Sequence, residues 1–174
     1  MDAEAIDNAV RRLARELDRD YADRSPVLVG VLKGGFIFLA DLLRRMQVSV
    51  INVEFLRLSS YGANTVSSGA PRIVAGLSDE AVRNRHLVLV EDIVDTGLTT
   101  TAALKYLRKK KPASVSLCVL LDKPGRRRVP TVIDYAGFTV PDRFLVGYGL
   151  DLDQRYRQLP GIYILNQEPG GYSG

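Results

Sequence analysis

The chain has 174 residues, of which 46% are hydrophobic and 25% are charged, the size and composition of one globular domain. This balance excludes a disordered tail, a coiled coil and a collagen-like repeat. The formal net charge is +4, from 24 basic and 20 acidic residues. The basic residues lie in short clusters, which binding of small phosphorylated ligands explains as well as binding of a nucleic acid does.

The first part of the chain alternates between helix and strand patterns. Apolar residues at three- and four-residue spacing predict an amphipathic helix over residues 6–21. The continuous apolar run at 27–32 is typical of a strand buried on both faces. After Lys33 and two glycines, the apolar segment 36–46 predicts a buried helix, and residues 48–58 have strand composition.

A long polar loop interrupts this alternation. Residues 59–72 consist largely of Ser, Gly, Ala, Asn and Thr, and loops of this length in compact domains are usually functional lids or disordered. Residues 86–92 predict another buried strand. The segment 93–112 turns into a helix that a proline ends, and residues 114–123 predict a third buried strand.

The pattern changes after residue 123 to short strands separated by Pro, Gly and charged turns. Near-continuous apolar strands that alternate with helices predict an α/β fold with a parallel sheet flanked by helices. We expect a single domain over residues 1–174. The strand-rich part, mainly 124–174, is expected to form a small subdomain added to the sheet.

Few features point to a membrane, a disulfide or a zinc site. No apolar run approaches the roughly 20 residues of a membrane helix, and the acidic, amphipathic N-terminus differs from a secretory signal. The single cysteine, Cys118, permits no internal disulfide. One histidine leaves too few ligands for a zinc site built from His and Cys. We therefore expect a cytoplasmic protein.

The most informative pattern is VLVEDIVDTGLTTT at residues 88–101. An apolar strand ends in Glu91 and Asp92, Asp95 follows, and a glycine and threonines then open a helix. Amide groups at a helix N-terminus bind anions such as phosphate. Carboxylates at the carboxyl end of a parallel strand lie where such sheets bind ligands, and they suit a sugar diol. A capped helix alone explains one acid and one threonine, but not three acids followed by several threonines.

Four other blocks accompany VEDIVDTGLTT in a fixed order along the chain: GVLKGGFIFLADLL, EFLRLSSYG, LLDKPGRRR and FLVGYGLDLDQRYRQLP. Together these blocks resemble the hypoxanthine-guanine phosphoribosyltransferase family of type I phosphoribosyltransferases. The resemblance implies a parallel sheet with flanking helices and a small hood that holds the base. It also implies a purine-salvage transferase that joins a 6-oxopurine (hypoxanthine or guanine, with xanthine left open) to phosphoribosyl pyrophosphate. The products are the nucleoside monophosphate and pyrophosphate, and the implied cofactor is Mg²⁺.

The same resemblance assigns roles around the phosphoribosyl group. Glu91 and Asp92 are expected to bind the ribose hydroxyls, partly through the metal, for which Asp151 is a further ligand. Asp95 is expected to take or hold the proton on the purine N7 as the base attacks the anomeric carbon. The 5′-phosphate is expected to lie against a loop made of Thr96, Gly97, Leu98 and Thr99.

Pyrophosphate and the base have their own expected residues, again by resemblance. Those for pyrophosphate are Leu32, Lys33 and Gly34, with a non-proline cis peptide before the lysine, together with Arg157 and Arg127. The run of three arginines at 126–128 leaves open which one contacts ligand. For the base, Lys123 is expected to donate to the purine O6, Phe144 to stack on the ring, and the Leu145 backbone to meet its edge.

The polar loop at 59–72 resembles the family's mobile catalytic lid, in which Ser60 and Tyr61 close over the site. The family also implies a homodimer or homotetramer. An alternative is an RNA-binding, nucleotide-sensing regulator of the same fold, which the positive charge and the lysine run at 109–111 favour. Against it, the chain combines the acid Asp95 with the base-pocket pair Lys123 and Phe144, which a regulator does not need.

Overall fold

The amphipathic pattern near the N-terminus forms helix α1 (Ala3–Asp20) in the computed structural model, which describes residues 1–59 and 71–165. The Asp2 carboxylate caps this helix, because it accepts a hydrogen bond from the amide of Ala5 at 2.8 Å. The apolar stripe of α1 is fully buried, including Leu13 and Leu17 at 0% exposure. Burial of this stripe fixes which face of the helix meets the sheet.

Six strands in the described part form the main sheet in the order β3-β2-β1-β4-β5-β6. Neighbouring strands are parallel except for the edge pair β2 and β3, which is antiparallel. This arrangement confirms the predicted parallel sheet flanked by helices, with one antiparallel strand added at its edge. The strands are β1 (Val27–Leu32), β2 (Asn52–Ser59), β3 (Arg72–Ala75), β4 (His86–Val94), β5 (Ser114–Asp122) and β6 (Tyr135–Thr139).

Helices cover both faces of this sheet. The helix α2 (Phe36–Leu43) packs with α1 on one face, and α4 (Leu98–Lys109) packs on the other, where the short α3 (Asp79–Val82) also contributes. Alternate residues of one strand therefore enter different cores: Val88 lies with α1 and α2, whereas Leu89 lies with α4. Burial on both sides explains why these strands have continuous rather than alternating apolar sequences.

Two element boundaries differ from the sequence expectation. The helix α2 ends at Leu43 and not near residue 46, and β2 begins at Asn52 and not at residue 48. The cause is a contact with α1, because the Asp18 carboxylate accepts hydrogen bonds from the amides of Gln47 and Val48 at 2.8 and 2.9 Å. Those amides are thereby joined to a helix rather than to the sheet.

The C-terminal part of the described chain is shared between two sheets. β6 extends the main sheet parallel to β5, whereas β7 (Leu145–Val146) and β8 (Tyr163–Ile164) form a separate antiparallel pair. The chain start joins this small sheet region, because Met1 and Ile162 exchange two hydrogen bonds of 2.8 and 2.9 Å. Among the described helices, none is both long and apolar enough to cross a membrane.

Candidate active site

A cleft of about 340 Å³ opens where the carboxyl ends of β1, β4 and β5 face the loop at 147–157. This is the edge at which open α/β sheets bind ligands. The structure brings together here residues that the sequence predicted from four separate segments. They are Lys33, Gly34, Asp92, Asp95, Lys123, Phe144, Leu145, Asp151 and Arg157.

The loop after β1 contains the expected non-proline cis peptide, between Leu32 and Lys33. Gly34 follows, and its backbone lies directly against the Asp92 side chain, so a Cβ at this position would overlap that carboxylate. Glycine is therefore the residue that allows the loop and the end of β4 to approach each other. The Lys33 ammonium donates a hydrogen bond to the Gln154 side chain at 3.0 Å across the cleft.

The two acids at the end of β4 have different surroundings. Glu91 is 3% exposed and accepts a hydrogen bond from the Thr100 hydroxyl at 2.5 Å. Burial raises the pKa of Glu91 to about 8, and it raises the pKa of Asp92 to about 6. Asp92 lines the cleft described above, whereas Glu91 is not among its lining residues.

The anion-binding loop predicted from the sequence connects β4 to α4. Gly97 caps α4 with a left-handed backbone (φ 80°), a conformation that glycine adopts without steric cost. The first intrahelical bond runs from the Thr101 amide to the Gly97 carbonyl, so the amides of Leu98 and Thr99 stand at the open end of the helix. The Thr96 hydroxyl lies 3.4 Å from the Leu98 amide. Such an end favours a phosphate group.

The arginines at 126–128 have separate positions. Arg127 donates to the backbone carbonyls of Val94 and Asp95 at 3.2 and 3.1 Å and pairs with the Asp122 carboxylate. Its guanidinium therefore links the loop after β4 to the end of β5 by hydrogen bonds. Arg126 lines the cleft instead.

Lys123 lines the cleft at the end of β5 and is 4% exposed. Its ammonium donates to the Arg143 carbonyl at 3.0 Å and lies 2.9 Å from an Asp142 carboxylate oxygen. This contact holds the pKa of Asp142 below its usual range. Phe144, at 37% exposure, presents an aromatic ring to the same cleft. A planar base needs such a ring together with a fixed donor.

Asp95 faces Lys123 across the cleft, with 3.9 Å between the ammonium and one carboxylate oxygen. Its other oxygen, Oδ1, is buried and has no hydrogen-bond partner among the described residues, although the Arg126 guanidinium lies 3.8 Å away. A buried acceptor without a partner is uncommon in folded proteins. Asp95 thus keeps one carboxylate oxygen to which no described group donates a hydrogen bond.

The loop at 147–157 forms the opposite wall. The Arg157 guanidinium donates to the Gly149 carbonyl at 2.6 Å and pairs with Asp151 at 2.7 Å. Gly149 itself (φ 98°) lies so close to the Gly34 carbonyl that a Cβ would overlap it. The two loops are therefore in backbone contact, which fixes the width of the cleft at this end.

Two carboxylates in the cleft fit a divalent cation with oxygen ligands. Asp92 and Asp151 both line it, and the charge of Asp151 is one cause of the raised pKa of Asp92. No group of three or more His, Cys, Asp or Glu residues suited to a metal occurs in the part of the chain described here. Mg²⁺ is usually held by one or two carboxylates together with water and substrate phosphates, so two carboxylates suffice.

Some residues that line the cleft or contact its lining had no signal in the sequence. Arg143 and Asp142 belong to an ordinary polar turn, and only the position of Lys123 gives them a role. Gln154 was likewise not predicted. The two lid residues, Ser60 and Tyr61, lie outside the described residues, and their role stays a prediction.

Comparisons with known proteins agree with these features. Residues 2–153 match the family model described as the phosphoribosyl transferase domain. The chain is 47% identical over 163 residues to the hypoxanthine-guanine phosphoribosyltransferase of Aquifex aeolicus, which covers 93% of this chain and 90% of that protein. It is 44% identical to the bifunctional protein TilS/HprT of Listeria innocua over 94% of this chain, but it spans only 25% of that protein. A crystal structure of a hypoxanthine-guanine phosphoribosyltransferase from Bacillus anthracis has a TM-score of 0.87 at 36% identity, covering 95% of this chain and 96% of that one.

Proposed function

The chain belongs to the phosphoribosyl transferase domain family, and we propose that it is a purine-salvage enzyme acting on 6-oxopurines. In the proposed reaction a purine ring nitrogen attacks the anomeric carbon of phosphoribosyl pyrophosphate. The bond from that carbon to the pyrophosphate oxygen breaks, and a nucleoside monophosphate and pyrophosphate are formed. The Listeria relative is about four times as long as this chain, so the proposal concerns the activity of this domain.

The position of Lys123 is the observation that carries the proposal. Its ammonium is buried at the cleft wall, oriented by the Arg143 carbonyl and Asp142, and close to Asp95. A fixed donor there matches the O6 acceptor of hypoxanthine or guanine and opposes the amino group that adenine carries at the same position. Phe144 then stacks on the ring, and the Leu145 backbone meets its edge.

Asp95 is proposed to accept the proton on the purine N7. The support is that Asp95 lines the cleft and that its Oδ1 atom has no hydrogen-bond partner among the described residues. Removal of that proton increases the electron density of the ring as the attacking nitrogen forms its bond. The nearby Lys123 ammonium stabilises the negative charge that develops on O6 and the ring.

The 5′-phosphate and pyrophosphate groups of the donor have separate proposed binding residues. The N-terminal end of α4, with Thr96, Gly97, Leu98 and Thr99, is proposed to bind the 5′-phosphate. The cis-peptide loop with Leu32, Lys33 and Gly34, together with Arg157, is proposed to bind pyrophosphate, to which an arginine fork is suited. For Arg127 we propose that it positions the phosphate loop, since its donors meet carbonyls of that loop.

Asp92 and Asp151 are the proposed protein ligands of Mg²⁺ in this cleft. When bound, the cation would offset the charge of the pyrophosphate group. Glu91 is proposed to support the ribose side of the site from its buried position beside Thr100. A homodimer or homotetramer is also proposed, and this rests on the family resemblance alone. The cytoplasmic location stays a prediction.

An absorbance assay tests the function directly. The protein is mixed with phosphoribosyl pyrophosphate and one of hypoxanthine, guanine, xanthine, adenine or uracil, with Mg²⁺ or with excess EDTA. We expect turnover of 6-oxopurines only, and only with Mg²⁺. If a folded protein that binds the donor turns over none of the bases, the enzyme proposal fails and RNA binding becomes the function to test.

A further inference from the structure

Gln154 lies between the two cations that line the proposed pyrophosphate wall. Its side-chain oxygen accepts a hydrogen bond from the Lys33 ammonium at 3.0 Å and another from the Arg157 guanidinium at 3.2 Å. Its backbone amide donates to the Asp151 carboxylate at 2.9 Å. One residue thus contacts three side chains of the cleft, which arrive from two different loops.

The turn that carries Gln154 directs it toward Lys33. Leu152 and Arg155 form an isolated antiparallel bridge, and the two residues between them, Asp153 and Gln154, both have left-handed backbones (φ 49° and 66°). This conformation is uncommon for residues other than glycine. The tight turn at the rim of the cleft therefore sets where the carboxamide stands before any ligand binds.

The neutrality of this acceptor matters for its role. Lys33 and Arg157 carry like charges that repel each other. Arg157 is also held by Asp151 and the Gly149 carbonyl, so the Gln154 oxygen acts mainly by holding the Lys33 ammonium beside it. A carboxamide attracts them less strongly than a carboxylate does, so phosphoryl oxygens can displace it. The carboxamide nitrogen also keeps two donors that suit an anion.

We propose that Gln154 is a positioning residue for the pyrophosphate group of the donor. Its side-chain oxygen holds the Lys33 ammonium beside Arg157 before the donor binds. When pyrophosphate binds, the phosphoryl oxygens replace the Gln154 oxygen as the acceptor for both cations. The proposal rests on the function proposed above for this cleft. It predicts that both the loss of the acceptor and the conversion of the acceptor into an anion weaken binding of pyrophosphate.

Calorimetric titration with pyrophosphate at saturating Mg²⁺ tests this without a requirement for turnover. For Gln154→Met we expect binding about fivefold weaker, the scale of one hydrogen bond. For Gln154→Glu we expect a loss of about tenfold, because a carboxylate competes with pyrophosphate for both cations. In the enzyme assay, KM for phosphoribosyl pyrophosphate should rise in parallel, while KM for hypoxanthine and kcat stay within about twofold of wild type. A residue that affects binding of the donor equally in the ground state and the transition state changes KM and leaves kcat unchanged.

Two further variants separate positioning from a structural effect. Gln158→Met makes the same chemical change four residues along, at a side chain that lines a different cleft, and should leave pyrophosphate binding unchanged. In a Lys33→Met background, the effect of Gln154→Met should shrink because one of its two partners is absent.

The proposal is overturned if Gln154→Met binds pyrophosphate within twofold of wild type, if Gln154→Glu binds as tightly as wild type, or if Gln154→Met has an undiminished effect without Lys33. A wild-type protein that turns over no base but shows the expected titrations would contradict the proposed function and leave the role of Gln154 supported.

Discussion

The ammonium of Lys123 and the carboxylate of Asp95 face each other at 3.9 Å across the cleft, although the lysine directs its hydrogen bond to the Arg143 carbonyl. The lysine is therefore held by Arg143 and Asp142 and not by Asp95, whose Oδ1 atom has no hydrogen-bond partner among the described residues. Because O6 and N7 lie on the same edge of a purine, one base edge could meet the donor and the acceptor side by side.

Replacement of Asp95 by asparagine should remove the proton acceptor and keep the shape of the site. We expect kcat to fall by about 10²–10³-fold, the usual contribution of a general base, with little change in KM for hypoxanthine. Asp142→Asn is the matched control, because that carboxylate also contacts Lys123 but does not line the cleft. Steady-state kinetics of both variants checks this, and equal losses in the two would contradict a base role for Asp95.

Replacement of Lys123 by methionine should remove the donor proposed for the purine O6. The preference for hypoxanthine over adenine, measured as the ratio of kcat/KM values, should fall by about a hundredfold. Lys105→Met, an exposed lysine on α4, serves as a control for the loss of charge. If Lys123→Met kept the preference of the wild type, another group would have to select the base.

Glu91 should make the stability of the protein fall as pH rises. Its pKa is about 8 in the folded state, against 4.5 for an unperturbed glutamate, so the folded protein binds more protons than the unfolded chain between those values. The free energy of unfolding should then decrease by up to about 1.4 kcal/mol per pH unit across this window. Asp92, with a pKa of about 6, adds to the same trend at its lower end.

The free energy of unfolding of the Glu91→Gln variant should change less with pH than that of the wild type. The glutamine keeps an acceptor for the Thr100 hydroxyl and has no titrating group. Urea unfolding at pH 5, 6.5 and 8, in the presence of EDTA, measures the free energy of unfolding for both proteins. Parallel curves for wild type and variant would show that Glu91 does not cause the slope.

Substitution of Gly149 by alanine should disturb the contact between the two loops of the cleft. The added Cβ would overlap the Gly34 carbonyl, and the left-handed backbone (φ 98°) disfavours alanine. We expect a loss of about 1–3 kcal/mol in the free energy of unfolding, together with a raised KM for phosphoribosyl pyrophosphate. Thermal unfolding and kinetics check these effects.

Gly125→Ala provides the comparison for that substitution. A Cβ at Gly125 comes no closer than 3.8 Å to a neighbouring atom, the Asp142 Cβ. Its effect on the free energy of unfolding should stay within about 0.5 kcal/mol. A Gly149→Ala variant as stable as Gly125→Ala would mean that the two loops separate without cost.

Local sequence patterns predicted the bounds of an element correctly where the surroundings of the segment are the same along its length. The strand predicted at 27–32 matches β1 (Val27–Leu32) at both ends, because burial on both faces requires an apolar residue at every position. Residues 48–51 have equally good strand composition, yet the Asp18 carboxylate on α1 binds the amides of Gln47 and Val48 and so keeps them out of the sheet. A partner 29 or 30 residues away in sequence leaves no trace in a local pattern.

The site residues also divide into those whose positions follow from neighbours in the sequence and those whose contacts come from distant segments. Carboxylates, a glycine and threonines around one strand end predicted the position of Asp92, Asp95 and Gly97, because strand order and helix capping follow from nearby residues. The contacts of Arg127 and Gln154 were not predictable, since their partners come from loops that meet only after folding.

Local sequence patterns predicted the class of fold, the alternation of helices and strands, and a loop preceded by acids at the start of α4. These depend on periodicity and on neighbours within a few residues, which the chain order contains. That Glu91 is buried while Asp92 lines the cleft, and that the Lys123 ammonium comes within 3.9 Å of the Asp95 carboxylate, follows only from the assembled structure. Burial and orientation depend on the packing of segments distant in sequence, and this packing exists only once the sheet and its loops are assembled.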